Sequence, residues 1–81
     1  MAEPRIPKYQ WGQPVATTTD LVNDGSYPDA PLDALLAAQG TQGEIVNVGM
    51  VEETGVPVYL VEFPDGKVVG VFEEEITSAR G

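Results

Sequence analysis

Thirteen carboxylates, with no histidine and no cysteine, set the chemistry open to this 81-residue chain. Glu73, Glu74 and Glu75 form the only run of charge. Clustered carboxylates can hold a hard cation, but such a site needs several oxygens to converge. A strand end sends neighbouring side chains to opposite faces, so this run reads as a solvated terminus. Asp20, Asp24, Asp29 and Asp33 are scattered, and "DLVNDG" lacks the alternating aspartates and distal glutamate of a calcium loop. Nothing suggests the sugar cleft that a carboxylate pair for glycoside hydrolysis requires. The missing imidazole removes the commonest general base and metal ligand. The missing thiol removes zinc and iron–sulfur ligation through sulfur. No nucleophile–histidine relay can be built from this chain alone. The expectation is a protein that is not an enzyme, with no catalytic residue, no metal site and no cofactor.

The formal charge of −9 narrows the partners. Nucleic acids are held largely through phosphate neutralisation by basic groups, and Arg5, Lys8, Lys67 and Arg80 cannot make a basic stripe. An anionic membrane surface is disfavoured for the same reason. No apolar run is long enough to span a bilayer, and "MAEPRIPKYQW" lacks the apolar stretch of a secretory signal. The expected location is cytoplasmic. A basic protein partner is compatible with the charge, although acidity also serves plain solubility.

These residues need a scaffold, and at this length it is one domain, burying roughly 60% of its unfolded surface. We expect a flexible arm over residues 1–10, a single domain over 11–77 and a short tail over 78–81. "QPVATTTD" reads as the first strand. Trp11 before it either covers one end of the core or stands exposed as a partner anchor. In "NDGSYPDAP", Asn23, Asp24 and Gly25 carry turn chemistry, while Pro28 and Pro31 force an extended path. "LDALLAAQG" has two readings: one or two helical turns ending at Gly40, or a wrapped loop laying Leu35 and Leu36 on the core. Gly40 and Gly43 shape the entry to a bent strand. "PVYLVEF" alternates Tyr59, Val61 and Phe63 against Val58, Leu60 and Glu62, and "PDG" predicts a hairpin to "KVVGVFEEEI". There Val69 and Val71 share one side, and Val68, Gly70 and Phe72 the other. Gly70 suggests a bulge or sharp bend. A last short strand is expected around Ile76. The set predicts an all-β fold: a small, SH3-like, partly open barrel of about five short strands with a long first loop.

Several of these pieces, taken in order, resemble one family. Val22-Asn23-Asp24-Gly25-Ser26-Tyr27-Pro28 is similar to the "R-N-D-G-T-Y-P" signature of the NifZ family of nitrogen-fixation proteins. Trp11-Gly12 with Val15 resembles its "Y-G-D-x-V" opening, and Ala34-Leu35-Leu36 its "A-L-L". Gly40-x-x-Gly43 followed by Asn47-Val48-Gly49 matches its "G-x-x-G-x-x-x-N-[VI]-G". Tyr59-x-Val61-x-Phe63, then Val69-Gly70 and Glu73-Glu74-Glu75-Ile76, resemble its closing motifs. The chain departs from the pattern at Asp29, where the family often has glycine. Val22 and Val46 stand where it often has a basic residue, and Val71 lies in the region of its cysteine. The resemblance implies a chaperone-like accessory factor that helps mature the nitrogenase molybdenum–iron protein by assisting P-cluster formation from paired iron–sulfur precursors. It implies that protein, or its immature precursor, as partner. The expected docking surface is the Leu21–Gly43 connector with Tyr27 as anchor; Asn23, Asp24, Gly25, Tyr27, Pro28, Trp11, Glu73, Glu74 and Glu75 are the candidate contact residues. Two other resemblances compete. The barrel and acidic end look like the variable chain of ferredoxin–thioredoxin reductase, an electron-transport accessory subunit. "GTQGEIVNV" loosely resembles a KOW motif, which would imply RNA binding, against the charge.

Overall fold

The computed structural model describes residues 7–25 and 27–79. Its architecture is all-β, as the alternation requires. β1 (Pro14–Thr17) leads into a small hairpin of β2 (Leu21–Val22) and β3 (Leu35–Ala37). The long strands β4 (Gln42–Val51), β5 (Val56–Glu62) and β6 (Val68–Phe72) follow as a meander. A 3₁₀ turn at Glu73–Glu75 delivers β7 (Ile76–Ser78). The main sheet is antiparallel in the order β6-β5-β4-β1-β7, and β2-β3 form a separate pair. The main sheet does not close on itself: β6 and β7 are its two edges. This is the partly open barrel expected, with β2 and β3 as an addition inside the long first loop.

The period-2 pattern holds where it was strongest. Tyr59, Val61 and Phe63 are buried, as are Val69 and Val71, and they join Val15, Ile45 and Ile76 in one core. The hairpin turn closes with Gly66 at φ +91°; Gly66 N–H donates to Phe63 O at 2.9 Å. Lys67 and Asp65 form an ion pair across it. The pair holds the Asp65 carboxyl below its ordinary pKa and the Lys67 ammonium above its own.

Four local expectations change. Leu35–Ala37 is neither helix nor loop but strand β3, paired with β2 (Leu21↔Ala37, Val22↔Leu35). Leu36 and Ala37 are buried and Leu35 is exposed. Gly70 is paired in register with Leu60, without a bulge; in the main sheet the register shift falls in β4, between Ile45 and Asn47. Glu73–Glu75 is a 3₁₀ turn and not a strand end. The Glu75 carboxylate accepts the Phe72 N–H at 2.8 Å, which favours turning the chain there over extending it. Tyr9 supplies the burial expected of Trp11. Its ring is edge-on to Tyr59 with centroids 5.6 Å apart, while Trp11 is 77% exposed. The part of the expected N-terminal arm over residues 1–6 lies outside the described residues, as do residues 80–81 of the expected tail.

Gly43 has a stronger reason than a bend. A Cβ built there would stand 2.6 Å from Val61 Cγ1 and 2.8 Å from the Glu62 carbonyl oxygen. β4 and β5 approach so closely that only glycine fits.

Candidate functional site

The connector between β2 and β3 is built around one side chain. Asn23 is buried, and its amide nitrogen donates to the carbonyls of Tyr27, Ala30 and Pro31 at 2.9, 2.9 and 3.0 Å. Its Oδ1 accepts the N–H groups of Gly25 and Tyr27 at 3.0 and 3.1 Å. Its backbone closes the base of the loop through Ala34 O and Asp33 N–H, both at 2.8 Å. The loop therefore folds round its own amide, and Gly25 at φ +102° lets the chain reverse there. Asn23, expected among the contact residues, is an internal clamp: its hydrogen-bonding groups face the loop and not solvent. It supports the neighbouring surface without forming part of it.

What the clamp presents is Tyr27 and Pro28. Tyr27 is half-buried and packs against the core, and Pro28 is exposed. A groove of about 370 Å³ separates them from Leu60, Val68 and Gly70 on β5 and β6. A smaller pocket of about 80 Å³ continues past Gly70, between Leu21, Val22 and Asp24 on one side and Phe72 and Glu75 on the other. Leu60, Val68 and Phe72 are 37%, 40% and 42% exposed. Between them Gly70 leaves a notch, its missing Cβ facing Leu60 Cδ2 across 3.7 Å. Apart from Glu62, the outward face of the β5–β6 hairpin is thus apolar where a two-sided sheet would carry polar groups. Sequence reasoning did not mark Leu60, Val68, Gly70 and Phe72 as site residues. The available signal was Leu60 at an outward position of an otherwise well-alternating strand.

The acidic turn does a different job. Glu73 Oε2 accepts the Tyr59 hydroxyl at 2.7 Å and the Lys8 N–H at 2.9 Å. The same hydroxyl accepts the N–H groups of Lys8 and Tyr9 at 2.9 and 3.2 Å. Burial, followed by the hydrogen bond to Glu73, raises the Tyr59 pKa above its ordinary value. Tyr9 O–H donates to Ile76 O at 3.3 Å. Glu74 and Glu75 carbonyls accept the Thr18 hydroxyl and N–H at 2.8 and 2.9 Å. The three glutamates thus tie the N-terminal segment and β1 to the end of the sheet. Among the described residues no group of three or more acidic side chains converges as a metal site. Trp11 lies apart from the groove, over a surface shared with Gln10, Gln13 and Pro14. The structure therefore brings Tyr27, Pro28 and Asp24 to one surface with β6, and places Trp11 and Glu73 elsewhere. Among the described residues no helix is long and apolar enough to cross a membrane.

Comparison with known proteins agrees with the ordered motifs. The model of the NifZ domain matches residues 6–78. Protein NifZ of Frankia alni is 36% identical over 74 residues, covering 89% of this chain and 38% of that protein. Protein NifZ of Azotobacter vinelandii is 33% identical over 75 residues, covering 91% of this chain and 46% of that protein. The Azotobacter chroococcum mcd 1 protein of the same name is 33% identical over 75 residues, with 91% and 47% covered. The chain thus spans less than half the length of these relatives. No solved structure gives a significant match. With a domain match running from before Tyr9 to the end of β7, the chain belongs to the NifZ family.

Proposed function

We propose that this chain, a nitrogen-fixation accessory protein by its family, assists maturation of the nitrogenase molybdenum–iron protein in a chaperone-like way, favouring P-cluster formation by binding the immature client. The observation that carries the reading is the exposed apolar groove beside Tyr27 and Pro28, held in shape by the Asn23 clamp. A protein with no cysteine and no histidine can still act on a client by binding one of its conformations better than another. A preformed loop loses little entropy when it docks. The family match favours this reading over an electron-transport subunit or an RNA module.

The test is a pull-down with tagged protein against cluster-immature and mature forms of the molybdenum–iron protein. Selective capture of the immature form is expected. Tyr27→Ala is expected to lose capture while staying folded, with only a modest fall in melting temperature from the lost packing. Capture of neither form by a protein shown to be folded would overturn the reading.

A further inference from the structure

We propose that the open edge of β6 binds an extended, basic-aliphatic segment of a partner protein as an added strand. The inference takes from the proposed function only that the Tyr27 side of the domain is where a partner docks, and adds the mode and the chemistry of the contact.

The hydrogen-bond phase identifies the free groups. Phe63 N–H donates to Lys67 O and Gly66 N–H to Phe63 O, both at 2.9 Å, so Phe63 turns its hydrogen-bonding groups toward the β6 side of the hairpin and sets the phase of the ladder. Antiparallel pairs alternate, so Val61↔Val69 and Tyr59↔Val71 are hydrogen-bonded as well. Val68, Gly70 and Phe72 then turn their N–H and C=O groups away from β5. Phe72 N–H meets Glu75, in keeping with that phase. The outward groups of Val68 and Gly70 meet no partner among the described residues. No backbone hydrogen bond joins the connector to β6 there; the groove and the smaller pocket lie between them.

An unpaired edge of this kind is a template for another strand. Most natural edges are blunted by a charge, a proline or a bulge, yet β6 reads Val-Val-Gly-Val-Phe, with charge only beyond its ends at Lys67 and Glu73. Side chains of an added strand would meet Tyr27, Pro28 and Leu60 in the groove, which suits aliphatic residues. Asp24 and Glu75 border the smaller pocket and the whole chain carries −9, which favours lysine or arginine at the remaining positions. The same charge disfavours a second copy of this chain as occupant.

The probe is the capped hexapeptide Lys-Val-Lys-Val-Lys-Val, with amide exchange of the intact protein read by NMR. Exchange at Val68 and Gly70 is expected to slow at least about tenfold at saturation, with little change at Val69 and Val71, which already face β5. A version N-methylated at alternate residues on the pairing side is expected to lose the effect, as is Glu-Val-Glu-Val-Glu-Val. Peptide shifts confined to the Trp11 surface, or equal binding of the glutamate peptide, would overturn the proposal. So would protection of Val68 and Gly70 that rises with protein concentration alone, which would give the edge to a second copy. The assay contains no nitrogenase component, so its failure and that of the pull-down are told apart.

Discussion

Replacing Asn23 by alanine deletes the centre of the connector and leaves its backbone in need of partners. The three carbonyls of Tyr27, Ala30 and Pro31 and the two N–H groups of Gly25 and Tyr27 all lose theirs. The amide has two hydrogens shared among three carbonyls, so with the two accepted bonds a net contribution of about 1 kcal/mol per hydrogen bond would give about 4 kcal/mol if every group stayed buried. Gly25 and Pro31 are exposed and Tyr27 and Ala30 only half-buried, so water recovers part of the loss. The expected cost is about 2–3 kcal/mol, large against the roughly 4–12 kcal/mol typical for a domain of this length. With a urea slope of about 1 kcal/mol per molar, the unfolding midpoint should fall by about 2–3 M. Asn23→Asp is the sharper variant. It keeps the acceptor, loses the donors and sets a carboxylate oxygen against three carbonyls. It should be at least as destabilising at neutral pH and recover partly on acidification, when protonation returns one donor. A loss below about 0.5 kcal/mol for Asn23→Ala, or wild-type stability for Asn23→Asp, would refute the clamp.

Gly43→Ala should cost about 1–3 kcal/mol, measured as a fall in melting temperature, because the new methyl meets backbone at Glu62 as well as the Val61 side chain. Tyr59→Phe should cost about 1–3 kcal/mol, since it leaves the Lys8 and Tyr9 N–H groups and Glu73 short of a partner. In the wild type, Tyr59 has a folded-state pKa above its ordinary 10.0, so its contribution is complete below about pH 10 and is lost as the pH rises beyond. Alkaline urea titrations should therefore show a decline that Tyr59→Phe lacks. Trp11→Ala should change stability by less than about 0.5 kcal/mol, because the ring is 77% exposed.

Legibility in the sequence followed how local the determining interaction was. The β5–β6 hairpin was readable because its alternation and its "PDG" turn are contiguous. β3 was not, because alanine and leucine favour a helix and only the distant Leu21–Val22 strand makes Leu35–Ala37 extended. Trp11 and Tyr9 are two residues apart, and what buries Tyr9 is a tyrosine 50 residues further on. Glu73–Glu75 was misread because its turn depends on a side chain bonding back to Phe72 N–H. At the candidate site, "NDGSYP" announced a turn, but not that Asn23 would face inward and Tyr27 outward beside β6. That division depends on carbonyls up to eight residues away.

The pairing of β1 with β7 has a consequence for how the protein is made. Thr17 lies opposite Ile76, so β1 waits for a partner synthesised 59 residues later. At ordinary elongation rates the interval is roughly 3–12 s, and contacts of such separation form late in folding. Throughout that time one flank of β1 is bare, as β6 remains in the finished domain. A chain stalled before Ile76 would leave β1, in place of the short β7, as an edge of the sheet, more apt to join another chain than to finish itself.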